Sequence, residues 1–112
     1  MSRVRENLEA MLARGQENAL LRFSLGNLCL QQAEYEVAIV HLERAVAQDP
    51  QYSAAWKLLG KALAAGGQPQ AAAAAWQRGS EVAEARGDKQ AAREMGVFLR
   101  RLQRDEAGSD GH

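Results

Sequence analysis

Residues 19–29 read ALLRFSLGNLC and residues 53–63 read SAAWKLLGKAL. Laid over one another at an offset of 34 positions, Leu25-Gly26-Asn27 falls on Leu59-Gly60-Lys61. The match continues downstream, with Ala38 on Ala72 and Leu42 on Trp76. Trp56, Leu59, Gly60 and Leu63 stand at i, i+3, i+4 and i+7, which is one stripe of an α-helix. A glycine inside a helix costs about 1 kcal/mol relative to alanine. Its presence at the same point of both copies implies that a second helix packs there, too close for a Cβ. Ala38 and Ala72 are then the matching small residues of the second helices, and Trp56 and Trp76 supply bulk between repeats.

Outward from this repeat, helix breakers punctuate the chain at Gly15, Pro50, Gly66-Gly67, Pro69 and Gly87. The stretches between them have helical periodicity and none alternates in strand fashion. Six helices are expected. The first covers about Arg3 to Arg14, with Val4, Leu8 and Met11 on one stripe. The second covers Ala19 to Gln31 behind an Asn18 cap. The third runs from Tyr35 to Gln48 and buries Ala38, Ile39, Leu42, Ala45 and Val46. The fourth starts at a Ser53 cap and ends near Ala65. The fifth opens on Pro69 as its first residue and reaches Arg86. Gly87-Asp88 forms a stop and a new cap, and the sixth runs to about Arg104. Residues 1–104 read as one helical domain, and the polar tail from Asp105 to His112 is expected to be disordered.

A helix–turn–helix unit repeating at that offset, with Trp, then Leu-Gly, then Ala, a large residue and Pro, resembles the tetratricopeptide repeat family. The second copy supplies Trp56, Leu59, Gly60, Ala72 and Trp76. The first supplies Leu25, Gly26, Tyr35, Ala38, Leu42, Ala45 and Pro50. Arg22 stands where the family favours Trp, Cys29 and Leu63 where it favours Tyr, and Gly79 where it favours Ala. Glu84 replaces the closing Pro of the second repeat. The resemblance spans about residues 3–104. It implies an all-α fold, a right-handed superhelix of antiparallel helix pairs. Two full motifs would be flanked by an N-terminal helix, spaced like a second helix, and a C-terminal one. In the latter, Ala92, Met95, Gly96 and Leu99 resemble a third first helix.

Composition narrows the function. The chain has 112 residues, is 46% apolar and 25% charged, and carries a net charge of +0. Such a chain makes one domain, and bulk charge predicts no attraction to nucleic acid or to an anionic membrane. The C-terminal arginines Arg93, Arg100, Arg101 and Arg104 cluster locally, but no aromatic residues interleave with them, so nucleic acid is not the expected partner. No stretch approaches the roughly 20 apolar residues of a membrane helix, and the N-terminus lacks the apolar run of a signal peptide. A single cysteine, Cys29, excludes an internal disulfide and suits a reducing compartment. The cytoplasm is the expected location.

Residues able to carry chemistry are few. Cys29 shares the stripe of Leu25 and Gly26, where a thiol serves as a small hydrophobe. His41 has Val37 and Ala45 one turn away on either side, which makes it a plain surface or groove-edge histidine. His112 belongs to the tail. This scatter has no zinc spacing, and no nucleophile triad or nucleotide fingerprint is present. Gly66-Gly67-Gln68-Pro69 lacks the Gly-Lys-Ser/Thr ending of a phosphate loop and reads as an inter-helix turn. Glu34 and Glu36 flank a helix start, where acids favour the helix dipole. No enzyme and no cofactor or metal are expected.

A concave groove remains as the working surface that the family resemblance implies. The expected lining is Leu20, Phe23 and Asn27 from the first repeat, Lys57 and Lys61 from the second, and Arg93 and Arg100 from the closing helix. Apolar residues at one end and basic ones at the other suit a protein or peptide partner with an acidic group or a C-terminal carboxylate. Some family members clamp a chaperone's C-terminal carboxylate with Lys and Asn on successive first helices. Asn27 matches one such place, but Phe23 and Leu58 stand where Lys and Asn are needed, so that activity does not carry over. A homodimer through exposed Gly96, Val97 and Phe98 of the closing helix is the alternative.

Overall fold

Four of the five inter-helix turns close in the same way. At Gly15, Ala33, Gly67 and Gly87 the backbone turns to φ 87°, 60°, 81° and 79°. The next amide then reaches back to a carbonyl one helical turn and more upstream: Gln16 to Met11, Glu34 to Cys29, Gln68 to Leu63 and Asp88 to Ala83, at 2.8–3.1 Å. This left-handed stop satisfies carbonyls that a helix end leaves orphaned. Three of the four positions are glycines, for which such a φ carries no steric cost.

The helices so delimited are α1 (Val4–Ala13), α2 (Ala19–Gln31), α3 (Tyr35–Gln48), α4 (Ser53–Ala65), α5 (Pro69–Ala85) and α6 (Lys89–Asp110). They come from a computed structural model of the chain, which describes residues 3–110. Asn18 caps α2, its side chain accepting from Leu21 N at 2.8 Å. Asp88 caps α6 by accepting from Ala91 N at 3.1 Å, and Pro69 is the first residue of α5. Ser53, expected as a cap, is instead the first residue of α4, behind Tyr52.

The C-terminal half of α6 differs from expectation. The helix continues to Asp110 where a disordered tail was expected after Arg104. No Gly or Pro interrupts residues 97–107, Leu102 packs against the core, and Arg101 and Asp105 are opposite charges one turn apart. His112 lies outside the described residues.

Helices α2 with α3, and α4 with α5, form antiparallel pairs, and α6 closes the second pair. The core runs through them as one cluster, from Cys29, Ala38 and Leu42 through Leu59, Ala72 and Trp76 to Ala83 and Met95. The close approach inferred from the repeated glycines is present. A Cβ on Gly26 would lie 2.5 Å from Leu42 Cγ, and one on Gly60 would fall inside the Trp76 indole. Trp76 Nε1 also donates to Lys57 O at 3.1 Å, so its ring is pinned against α4. Gly79 is a third such point: its Cβ would meet Met95 Sδ at 2.5 Å and Trp56 Cβ at 2.7 Å.

Candidate functional site

The first helices α2, α4 and α6 stand side by side along the chain's repeat, and α4 touches both of the others. Between them lie most of the residues expected to line a groove. Leu20, early in α2, is 65% exposed. Phe23, one turn further, is half-buried and stacks on Tyr52, with ring centroids 4.8 Å apart and planes 29° from parallel. Asn27 follows on the same side of α2, half-buried.

Lys57 and Lys61, one turn apart on α4, both reach towards α6. Lys57 Nζ lies 3.5 Å from Glu94 Oε1, and Lys61 Nζ sits 5.1 Å from the centre of the Phe98 ring. That ring in turn packs on Trp76 at 5.4 Å. Lys57 is therefore a partly screened charge in a pair, worth little as a net attraction. Lys61 is held by a cation–π contact. Phe98 is not the exposed residue the sequence suggested, because it packs half-buried against the core, on Trp76 of α5 and under Lys61 of α4.

Arg93 and Arg100 occupy a different flank of α6. With Glu84, Lys89, Ala92 and Gly96 they line a shallow depression of about 280 Å³. The depression beside Lys57 is formed by Gln90, Ala91 and Glu94 of α6. The structure thus brings Lys57 and Lys61 together but sets Arg93 and Arg100 apart from them. Tyr52, Glu94 and Phe98 are contacts of the expected lining residues that the sequence did not announce. Their partners Phe23, Lys57 and Lys61 sit in the preceding repeat, and only the angle between successive repeats decides that they meet.

His41 is a correction. It is 8% exposed rather than at the surface. Its Nδ1 lies 3.1 Å from an Arg22 guanidinium nitrogen. A guanidinium can only donate, so Nδ1 accepts and the ring is neutral with its proton on Nε2. Burial, and then the Arg22 charge, hold its pKa below the ordinary histidine value. Arg22 also grips Glu17 at 2.7 and 2.8 Å. That hydrogen bonding brings the Glu17 pKa down to about 2. Arg22 stands where a repeat would place Trp, and the Glu17–Arg22–His41 chain replaces the missing ring with a polar bridge between α2 and α3.

Cys29 is fully buried, and burial pushes its thiol pKa up, away from the reactive thiolate. Among the described residues, no three of His, Cys, Asp and Glu gather where they could hold a metal ion. No helix among them is long and apolar enough to cross a membrane.

A regular repeat register, glycine sockets between paired helices and a row of first helices define a helical-repeat scaffold. The chain belongs to the tetratricopeptide repeat family. The family's model matches residues 19–62. The TPR repeat-containing protein PA0015 of Pseudomonas aeruginosa is 56% identical over 99 residues, covering 88% of this chain and 94% of that protein. The solution structure of protein BPP2914 from Bordetella parapertussis is 46% identical and superposes with a TM-score of 0.85, over 100% of this chain and 97% of that one. The crystal structure of MamA, 18% identical, shares the fold with a TM-score of 0.64 over 96% of this chain and 70% of its own. Proteins of this family serve generally as non-catalytic interaction modules for other proteins or peptides.

Proposed function

We propose that the protein is a cytoplasmic, non-catalytic binding module whose concave face takes an extended segment of a protein partner. The observation that carries this reading is the polarity of the strip along the first helices. Leu20 and the Phe23–Tyr52 stack offer an apolar seat, while Lys57 and Lys61 stand on the next first helix, α4. An apolar side chain of the partner anchors on the stack. An acidic group or C-terminal carboxylate competes with Glu94 for Lys57, so charge sets orientation and encounter rate more than affinity.

Short peptides with one large apolar residue and an acidic, free C-terminus test this by fluorescence anisotropy. Charge reversal of both lysines (Lys57→Glu with Lys61→Glu) should abolish binding with helical content unchanged. Phe23→Ala should weaken it by about 1–2 kcal/mol, as expected for an aromatic anchor. Equal affinity for the double reversal and the native chain would mean that the groove is not the binding surface.

A further inference from the structure

The glycine sockets on the first helices α2 and α4 have a counterpart on α6 that no second helix fills. Gly26 takes Leu42 and Gly60 takes Trp76, each from the second helix of its own pair. Gly96 holds the same place on α6, one repeat after Gly60 and next to buried Met95 as Gly60 is next to buried Leu59. The nearest atom a Cβ there would meet is Arg100 Nη1 of the same helix, at 3.5 Å. α6 is a first helix with no second helix among the described residues.

The other end of the molecule is the converse. α1 stands towards α2 as α3 stands towards α4. Arg5 hydrogen-bonds Gln32 and Glu34, and one repeat further on Ile39 approaches Gly66. In the same register Leu8 corresponds to Leu42 and Met11 to Ala45. Leu42 and Ala45 are fully buried, yet Leu8 and Met11 are half-buried and no residue of α1 is buried. Among the described residues, α1 is a second helix with no first helix.

Each end therefore lacks what the other presents. We propose that the chain associates head to tail with a second copy of itself, Leu8 of one copy seating over Gly96 of the next. Continuing the repeat across the joint also sets Val97 (37% exposed) against Leu28, as Lys61 sits against Phe98 within the chain. A two-fold pairing of α6 with α6 is disfavoured. It would oppose Lys89, Arg93 and Arg100 against their own copies, with Glu84 the one acid lining that flank. The joint is heterologous and independent of peptide binding in the groove.

Sedimentation equilibrium of the full chain from about 10 µM to about 1 mM is the test, over the range where weak association shows. The native chain should gain mass with concentration. Gly96→Leu should fold normally, since only the flexible Arg100 side chain lies near a Cβ there, and should weaken association about tenfold or more. Leu8→Ser should do the same from the other end. Each variant keeps one intact end, so an equimolar mixture should form a one-to-one dimer that grows no further. A native chain that stays monomeric, association untouched by Gly96→Leu, or a mixture that stays monomeric while the native chain associates would each overturn the proposal. The last would point to a two-fold joint, and the first to a socket for some other helix.

Discussion

At the scale of single residues, Ala33 carries the clearest stored strain. It holds at φ 60° the place that Gly67 holds at φ 81° in the next repeat. A left-handed conformation costs an L-residue about 1–2 kcal/mol, and the added freedom of glycine in the unfolded chain costs about 0.4–1 kcal/mol. Ala33→Gly should therefore stabilise the protein by about 0.5–1 kcal/mol, read as a higher denaturation midpoint at unchanged slope. A lower midpoint would mean that the turn is not strained. His41 gives the chain a pH dependence. Its folded pKa lies below the ordinary 6.5 through burial and Arg22, so the unfolded chain binds the proton first as pH falls. Its contribution is whole above about 6.5 and is lost as pH drops through the folded value. The nearby charges act in both directions, Arg22 and Arg5 lowering the pKa, Glu9 and Glu17 raising it. The melting temperature should fall between pH 7.5 and 5, and His41→Leu should flatten that slope. Glu17, at about 2, titrates well below this window. The burial of His41 was hidden because its neighbours Val37 and Ala45 say nothing of Arg22, which reaches it from the preceding helix. The repeat register did hold the clue, since His41 falls on buried Ala75.

At the scale of elements, the helices were legible because their ends are chemical. Gly15, Pro50, Gly66-Gly67, Pro69 and Gly87 mark stops and starts that need no tertiary contact to act. What stayed unreadable was the rotation of one helix against another. The sequence puts Arg93 beside Lys57 in one groove only if successive first helices turn the two towards each other, yet they are equivalent positions of successive repeats. Equivalent positions point alike, each towards the repeat that follows it. Lys57 thus meets Glu94 on α6, and Arg93 faces the end of the molecule. The elements also differ in how firmly they are held. α1 buries no residue: it holds on by the half-buried Leu8, Met11 and Leu12 and by Arg5 to Gln32 and Glu34, exposed polar contacts of small net worth. Amide hydrogen exchange should therefore run fastest along α1 and slowest in α3 and α5, whose faces are buried. Protection of α1 equal to that of α5 in a dilute, monomeric sample would refute this ranking.

At the scale of the whole molecule, the shape follows from stacking. The radius of gyration is 14.7 Å and the extents are 49 × 33 × 22 Å. A compact chain of this length would have a radius of about 13 Å. The shortest dimension corresponds to about two helix diameters, the thickness of one layer of first helices against one of second helices. Each helix pair touches only its neighbours, so stability accumulates pair by pair and the two ends remain the least satisfied parts. The turns at Ala33 and Gly67 add a consequence for how such a chain changes over time. They share one backbone conformation and one hydrogen-bond pattern at equivalent points of successive repeats. A gene recombined between those two points loses or gains a helix pair while both termini and the turn itself stay as they were. Length in this scaffold is quantised, and it varies by the whole pair rather than by the residue.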